Sequence, residues 1–417
     1  MAIIKPFKGI RPAKDKVPFV ASKSYQEYSK KELECILNYN PFSFLQILNP
    51  GYRFNKSVSG KERYNLIHNR YLEFVEDKIL IEDSEESFYL YRIEKDNFNC
   101  CGLICATSTE EYRNSTIKKH ENTLEKREKL FANYLEMVQF KAEPVLMIYP
   151  DSTEIAEMIG KQTSATPECH FTTPDNITHT FWKISENNSI KAFQKEFSKV
   201  NSLYIADGHH RSASSNRLSI RSKKQNPNHS GNEPYNFIMS YLIPESEIRI
   251  FEFNRMVRDL NGHTTEEFLV KLDELFRIKK HGNRLYRPGK KHHFSMYLNG
   301  SFYSLYLRKS VYKFTDALSK LDTQILFKTI LEPILDIKDL RNDKRIQYGF
   351  GKRNVLRMKD EIDKGNFTVG FGLVPLEVNE IKAIADAGLV MPPKSTYIEP
   401  KLRSALAIYE LGLPPKN

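Results

Sequence analysis

Asp207, Gly208, His209, His210 and Arg211 stand side by side, five polar or conformationally special residues in succession. Leu203–Ala206 ahead of them has the apolar, β-rich pattern of a strand, and Ser212–Ser215 behind them opens a helix rich in small residues. A glycine at such a turn lets the backbone come close to a ligand, and the free N–H groups of the following helix face an anion. Arg211 and the two imidazoles would stand beside that anion. Asp207 has three uses open to it: orienting a histidine tautomer, binding a magnesium ion, or accepting a proton. The plain alternative is a polar turn whose aspartate caps the helix.

Two further groups carry chemistry. Between Asn114 and Phe140 the sequence predicts one long helix, because Ile117, Leu124, Phe131 and Val138 recur every seven residues and Leu130, Tyr134 and Leu135 widen the stripe. His120 projects from that apolar face, Arg127 follows one heptad later, and Glu121 flanks it. Charge on a buried face needs a partner or a ligand. Near the C-terminus, Met391-Pro392-Pro393-Lys394-Ser395-Thr396-Tyr397 is a loop stiffened by prolines, followed by Pro400-Lys401. It would hold Lys394 and the Ser395 hydroxyl at low entropic cost, as recognition of phosphate or carboxylate requires. An ordinary surface turn is its alternative. The basic stretch from Arg277 to His293 has seven Lys or Arg and no acid. It reads as a solvated edge strand, with a nucleic-acid footprint as the competing interpretation.

The elements that must position these groups interleave. Phe88–Ile93, Cys101–Ser108, Val145–Tyr149 and Phe181–Ile184 read as strands. Asp151 is a candidate N-cap for a helix ending at Gly160, and Ser189 for one carrying Ile190, Phe193 and Phe197. Asn299-Gly300 between Phe294–Leu298 and Phe302–Leu307 signals a hairpin. Leu321–Leu335 is helical in pattern, Phe367–Pro375 is strand-like, and Val378, Ile381 and Ala385 line a helix. The fold class is α/β to α+β with mixed sheets. The polar loop Asn226–Pro234 divides an N-terminal part, 1–230, from an α+β C-terminal part, 231–417.

The composition narrows the partners little. The 417 residues hold 63 Lys and Arg against 52 Asp and Glu, a net +11. That diffuse surplus is compatible with nucleic acid, anionic lipid or phosphate-bearing small molecules. Met1–Pro12 has no apolar signal region and no run approaches the roughly 20 residues of a membrane helix, so a cytoplasmic protein is expected. The five cysteines lack CxxC spacing, which argues against a zinc or disulfide framework.

Taken together, IKPFKGIRP at the N-terminus, IKKHENTLEKRE, YIADGHHR and MPPKSTYIEPKL resemble a widespread bacterial and archaeal family of unknown function, from Ile3 to about Tyr409. That family looks like a member of the ParB/sulfiredoxin superfamily, in which a glycine-containing loop ending in Arg grips nucleotide phosphates. Sulfiredoxin binds ATP in this way, ParB binds CTP, and the free-serine kinases bind ADP or ATP with an equivalent Asp-Gly-His-His-Arg loop. The resemblance implies a ParB/sulfiredoxin-like nucleotide-binding core. Gly208, His209, His210 and Arg211 would contact phosphate, Asp207 would be the magnesium or catalytic carboxylate, and His120, Glu121, Arg127, Lys394 and Ser395 would surround the same pocket. It also implies ATP or ADP with Mg2+ as cofactors and phosphoryl transfer to a small hydroxyl substrate, with Asp207 or Glu121 as base. Family members usually carry Pro-Tyr-Asp-Val where this chain has Val20-Ala21-Ser22-Lys23-Ser24-Tyr25-Gln26, and His-Arg where it has Asn254-Arg255. Nucleotide binding survives these departures better than a specific catalytic role does. A non-catalytic nucleotide sensor and a ParB-like nucleic-acid-binding regulator therefore stand as alternatives to the kinase.

Overall fold

The computed structural model describes residues 1–310, 312–349 and 354–413. They form two compact units. The first comprises 1–119, 123–248 and the C-terminal segment from Pro400; the second comprises 120–122 and 249–399.

The first unit is built on a nine-stranded mixed sheet. Its strands are Ile4–Lys5 (β1), Phe88–Lys95 (β2), Phe98–Ser108 (β3), Ile117–Lys118 (β4), Val145–Tyr149 (β5), Cys169–Thr172 (β6), Thr178–Ile184 (β7), Leu203–Asp207 (β8) and Phe237–Pro244 (β9). Their order is β4-β8-β5-β9-β3-β2-β7-β6, with β1 alongside β3. The β4/β8 and β5/β9 pairs are parallel, and the other pairs of the path are antiparallel. The central strand β3 is apolar along nearly its whole length because it is covered on both faces. It buries Cys100, Cys101 and Cys105. A Cβ at Gly102 would stand 2.6 Å from the Leu242 carbonyl and the Tyr241 ring, so only glycine lets β9 lie this close.

Four helices matter for the site: Glu125–Val138 (α1), Thr153–Thr163 (α2), Asn187–Phe197 (α3) and His209–Gln225 (α4). Ile155 and Ile159 of α2, with Ile190, Phe193 and Phe197 of α3, are the core-facing residues their helical spacing predicts. Their caps differ from expectation. Ser152, one residue on from Asp151, caps α2, which runs through Gly160 to Thr163. Glu186 occupies the N-cap of α3, and the Ser189 hydroxyl donates to it at 2.6 Å. A second apolar cluster joins Phe44, Ile67, Tyr71 and Phe74 of the N-terminal helices to Val138 and Ile408.

The long helix expected across Asn114–Phe140 is two elements. Ile117 and Lys118 form β4 and pair in parallel with Leu203 and Tyr204, and helix begins only at Glu125. Long-range sheet pairing overrides the local heptad pattern. The buried face of α1 is Ala132, Leu135, Glu136 and Val138, whereas Leu124, Leu130 and Phe131 of the expected stripe are exposed. His120 and Glu121 therefore lie in a connecting segment rather than on a helix face.

The second unit holds a six-stranded antiparallel sheet. Its strands are Asn254–Val257 (β10), Phe276–Gly282 (β11), His293–Leu298 (β12), Ser301–Leu307 (β13), Ile346–Gly349 (β14) and Val369–Gly372 (β15), in the order β11-β13-β12-β15-β10-β14. Its helices are Thr265–Leu275 (α5), Asp322–Leu326 (α6), Asn354–Asp363 (α7) and Val378–Asp386 (α8). Phe268 and Leu272 of α5 pack with Ile325 and Leu326 of α6 in one core. Val355, Met358 and Ile362 of α7 pack with Met256 and Tyr297 in another. The Asn299-Gly300 hairpin forms as expected, with φ of 45° and 70°, and Leu298 faces Ser301. The basic stretch begins on β11, an edge strand. The helix expected over Leu321–Leu335 is α6 followed by a short π-helix at Phe327–Leu331.

Candidate functional site

The strand–turn–helix read from Leu203 to Ser215 is present. The register of β8 against β5 slips between Ile205 and Asp207, so the ladder is irregular where Asp207 ends the strand. Gly208 then occupies the N-cap of α4 with φ 103°, a conformation that L side chains rarely adopt. The first turn of α4 contains no acid and places Arg211 at the positive end of the helix dipole. A cation there works against the dipole, and an anion would favour both. Ser212, Ser214, Ser215, Ser219 and Ser222 line the buried side of α4. Ser214 and Ser215 donate back to the carbonyls of His210 and Arg211 at 2.6 and 2.8 Å.

Around that turn the charges are cross-linked. Lys401 Nζ lies 3.3 Å from an Asp207 oxygen, and Arg211 Nη2 is 3.5 Å from the same oxygen. Arg211 Nη1 meets Glu143 at 3.0 Å and also donates to the Pro144 carbonyl. Burial alone would raise the Asp207 pKa, but Arg211 and Lys401 outweigh it and hold the carboxyl below its ordinary value. Asp207 is therefore ionised at neutral pH, and 42% of its side chain remains open to solvent. Burial pushes the His209 imidazole down to about 3, so His209 is neutral. Any role it takes rests on hydrogen bonding rather than on positive charge.

The N-terminal segment around Ser22–Glu27 belongs to the same cluster. Ser22 and Ser404 exchange backbone hydrogen bonds, which lays the N-terminal segment beside the C-terminal one. The Ser24 hydroxyl donates to Glu143 at 3.3 Å, and Lys23 pairs with Asp175 at 3.2 Å. Glu27 feels Lys401, Glu143, Lys23 and Arg403, and partial desolvation raises its pKa. Deeper still, Arg403 bonds Asp175 at 3.1 Å and approaches His179 at 3.4 Å, while Tyr91 bonds the other ring nitrogen at 2.8 Å.

The structure thus brings Asp207 and Arg211 together and adds Glu143, Lys401, Ser24 and Glu27, which sequence reasoning missed as site residues. Only Lys401 had a signal, its place just after Pro400. Arg127 is exposed on α1. His120, Glu121, Lys394 and Ser395 belong to the second unit. There the His120 carbonyl accepts from Met391 N–H at 3.0 Å. Lys394 is exposed with φ 57°, and its carbonyl accepts from Arg255 Nη2 at 3.0 Å. Ser395 is buried, and its hydroxyl serves the Pro392 carbonyl at 2.6 Å and Thr323 at 3.2 Å.

Among solved structures, the chain is similar to a free serine kinase in complex with AMP. Identity is 12%, coverage is 74% of this chain and 91% of that one, and the TM-score is 0.37. A mutant free serine kinase in complex with ADP gives 12%, 74%, 91% and 0.39. C-terminally truncated SbnI from Staphylococcus aureus gives 11%, 73%, 87% and 0.37. No curated protein matches the chain. No helix among the described residues is long and apolar enough to cross a membrane. Its family is nonetheless plain: over residues 4–324 it matches the group described as "Protein of unknown function (DUF1015)", and it belongs to that family.

Proposed function

We propose that the start of α4 binds the phosphates of a nucleotide, with Gly208 giving close backbone approach and Arg211 supplying charge. The observation that carries this reading is the combination of a left-handed glycine N-cap, a first turn without acid, and an arginine at the positive end of the helix. The helix dipole disfavours that arginine, Glu143 and Asp207 answer its charge, and a bound phosphate would add an anion favoured by both the dipole and the guanidinium. Asp207 stays ionised and partly exposed, which suits it to hold a magnesium ion arriving with the nucleotide, since such ions commonly use only one or two protein carboxylates. His210, next to Arg211 in sequence, and Lys401, paired with Asp207, would be the further phosphate contacts.

The reaction class that fits is phosphoryl transfer to a small hydroxyl substrate, serine-like in size. That chemistry needs positioning, charge neutralisation and a proton acceptor. Glu27 suits the last role, because its raised pKa brings it closer to neutral pH than Asp207. An assay of nucleotide turnover over a panel of small alcohols and amino acids, including serine, tests the reading. Turnover should fall at least about 100-fold in Glu27→Gln with nucleotide binding retained, the size expected for loss of general-base catalysis. Binding without turnover across the panel would overturn the catalytic part and leave a nucleotide sensor.

A further inference from the structure

The second unit contains a carboxylate and an imidazole that face each other with bonding capacity left over. Asp322 opens α6 with its side chain 1% exposed. One oxygen, Oδ1, accepts the backbone N–H of His292 at 2.8 Å, while Oδ2 is shielded from solvent and has no hydrogen-bond partner. His292 Nδ1 is 3.6 Å from Oδ1, too far for a hydrogen bond, and is likewise shielded and unpartnered. Two shielded polar atoms without a hydrogen-bond partner, on side chains that approach each other, are costly and call for an explanation.

The imidazole is also held there against a local preference. His292 has φ 65°, in the left-handed region that non-glycine residues enter at a cost. Its carbonyl accepts Leu307 N–H at 3.1 Å, and its ring sits 4.8 Å from that of Phe314. The neighbouring Lys291 is committed to Glu380 at 2.6 Å and to the Pro375 carbonyl at 3.0 Å. The charges alongside are therefore paired with each other, and the hydrogen bonds of Lys291 go to Glu380 and Pro375 rather than to Asp322.

We propose that His292 Nδ1 and the Asp322 carboxylate are two ligands of a divalent cation of the zinc class. At bond lengths of about 2.0–2.1 Å, Nδ1 and Oδ1, 3.6 Å apart, subtend about 120° at such a cation, near the tetrahedral range, and Oδ1 can ligate with one lone pair while the other keeps the His292 N–H. An imidazole with a carboxylate suits zinc or cobalt, whereas magnesium and calcium prefer all-oxygen sets. One-third of the His292 side chain is exposed, which gives a path from solvent and room for water in the remaining positions. The site reaches the proline-stiffened loop as well, because Thr323, the next residue, accepts from Ser395.

The test is titration of the full, chelator-treated chain with Zn2+ and with Co2+, counting bound equivalents calorimetrically and following the cobalt visible spectrum. His292→Ala should bind one equivalent fewer than the wild type and lack the corresponding cobalt band, and Asp322→Asn should do the same. His292 is partly exposed, so its alanine variant remains informative even if the buried Asp322 variant fails to fold. Equal equivalents and equal spectra for wild type and His292→Ala would overturn the proposal.

Discussion

Arg211 and Arg255 carry the same guanidinium in opposite circumstances. Arg211 is 30% exposed, and its charge is answered by Glu143 and Asp207. Arg255 is 2% exposed, and the acceptors shown for it are the neutral carbonyls of Phe253 and Lys394, with the Tyr348 ring 5.6 Å away. Burial pulls its pKa down to about 10. A partly exposed arginine in a network of carboxylates can exchange partners with an incoming anion at little cost. A buried one holding two carbonyls is a clamp, fixing the backbone that presents Lys394. Environment separates the arginine proposed to bind from the one that serves as scaffold.

The largest expected effect lies on the scaffold side. Arg255→Met should destabilise the fold by roughly 2–4 kcal/mol, since it abandons two buried carbonyls, and denaturant unfolding would measure it. A loss below about 0.5 kcal/mol would place Arg255 with the exchangeable residues and dissolve the contrast. Gly208→Ala comes next, at roughly 1–3 kcal/mol, because φ 103° strains any side chain. Thermal unfolding reads that cost, and nucleotide binding should weaken with it.

A pair of carboxylates extends the contrast. Asp207, surrounded by cations, has its pKa held down, whereas burial pushes Glu111 up to about 7. Between the ordinary value of 4.5 and about 7 the folded state holds a proton on Glu111 that the unfolded state has released. Stability should therefore fall as pH rises through that window. Glu111→Gln, which can still accept the Ile3 N–H that Glu111 binds at 2.8 Å, should remove the slope and gain roughly 1–3 kcal/mol above pH 7. Identical stability profiles for variant and wild type from pH 5 to pH 8 would count against it. The smallest effect on stability belongs to Arg211→Ala, about 1 kcal/mol or less, as partly exposed ion pairs contribute little.

The pattern of legibility follows the range of the interactions. Strands such as Val145–Tyr149, the Asn299-Gly300 hairpin and the turn at Asp207-Gly208 are encoded by residues adjacent in sequence, and they stand as read. The Asn114–Phe140 helix failed because Ile117 pairs with Leu203, 86 positions away, and sheet register of that kind leaves no periodic trace. The site shows the same division. Asp207 and Arg211 are one helical turn apart and were readable together. Glu143 and Lys401 reach them from 68 and 194 positions off; nothing local marks Glu143, and the Pro400-Lys401 pair marks Lys401 only as part of a stiff loop, not as a partner of Asp207.

Titration of nucleotides against wild type and Arg211→Ala tests the binding claim most directly. ATP, ADP, CTP and GTP, each with and without magnesium, would be followed by thermal shift and calorimetry. One nucleotide should stabilise the wild type selectively, by about 2.7 kcal/mol at one hundred times its Kd, and Arg211→Ala should unfold near the unliganded wild-type temperature and lose that response. If no nucleotide stabilises the wild type, or if Arg211→Ala responds as the wild type does, the start of α4 is not a phosphate site.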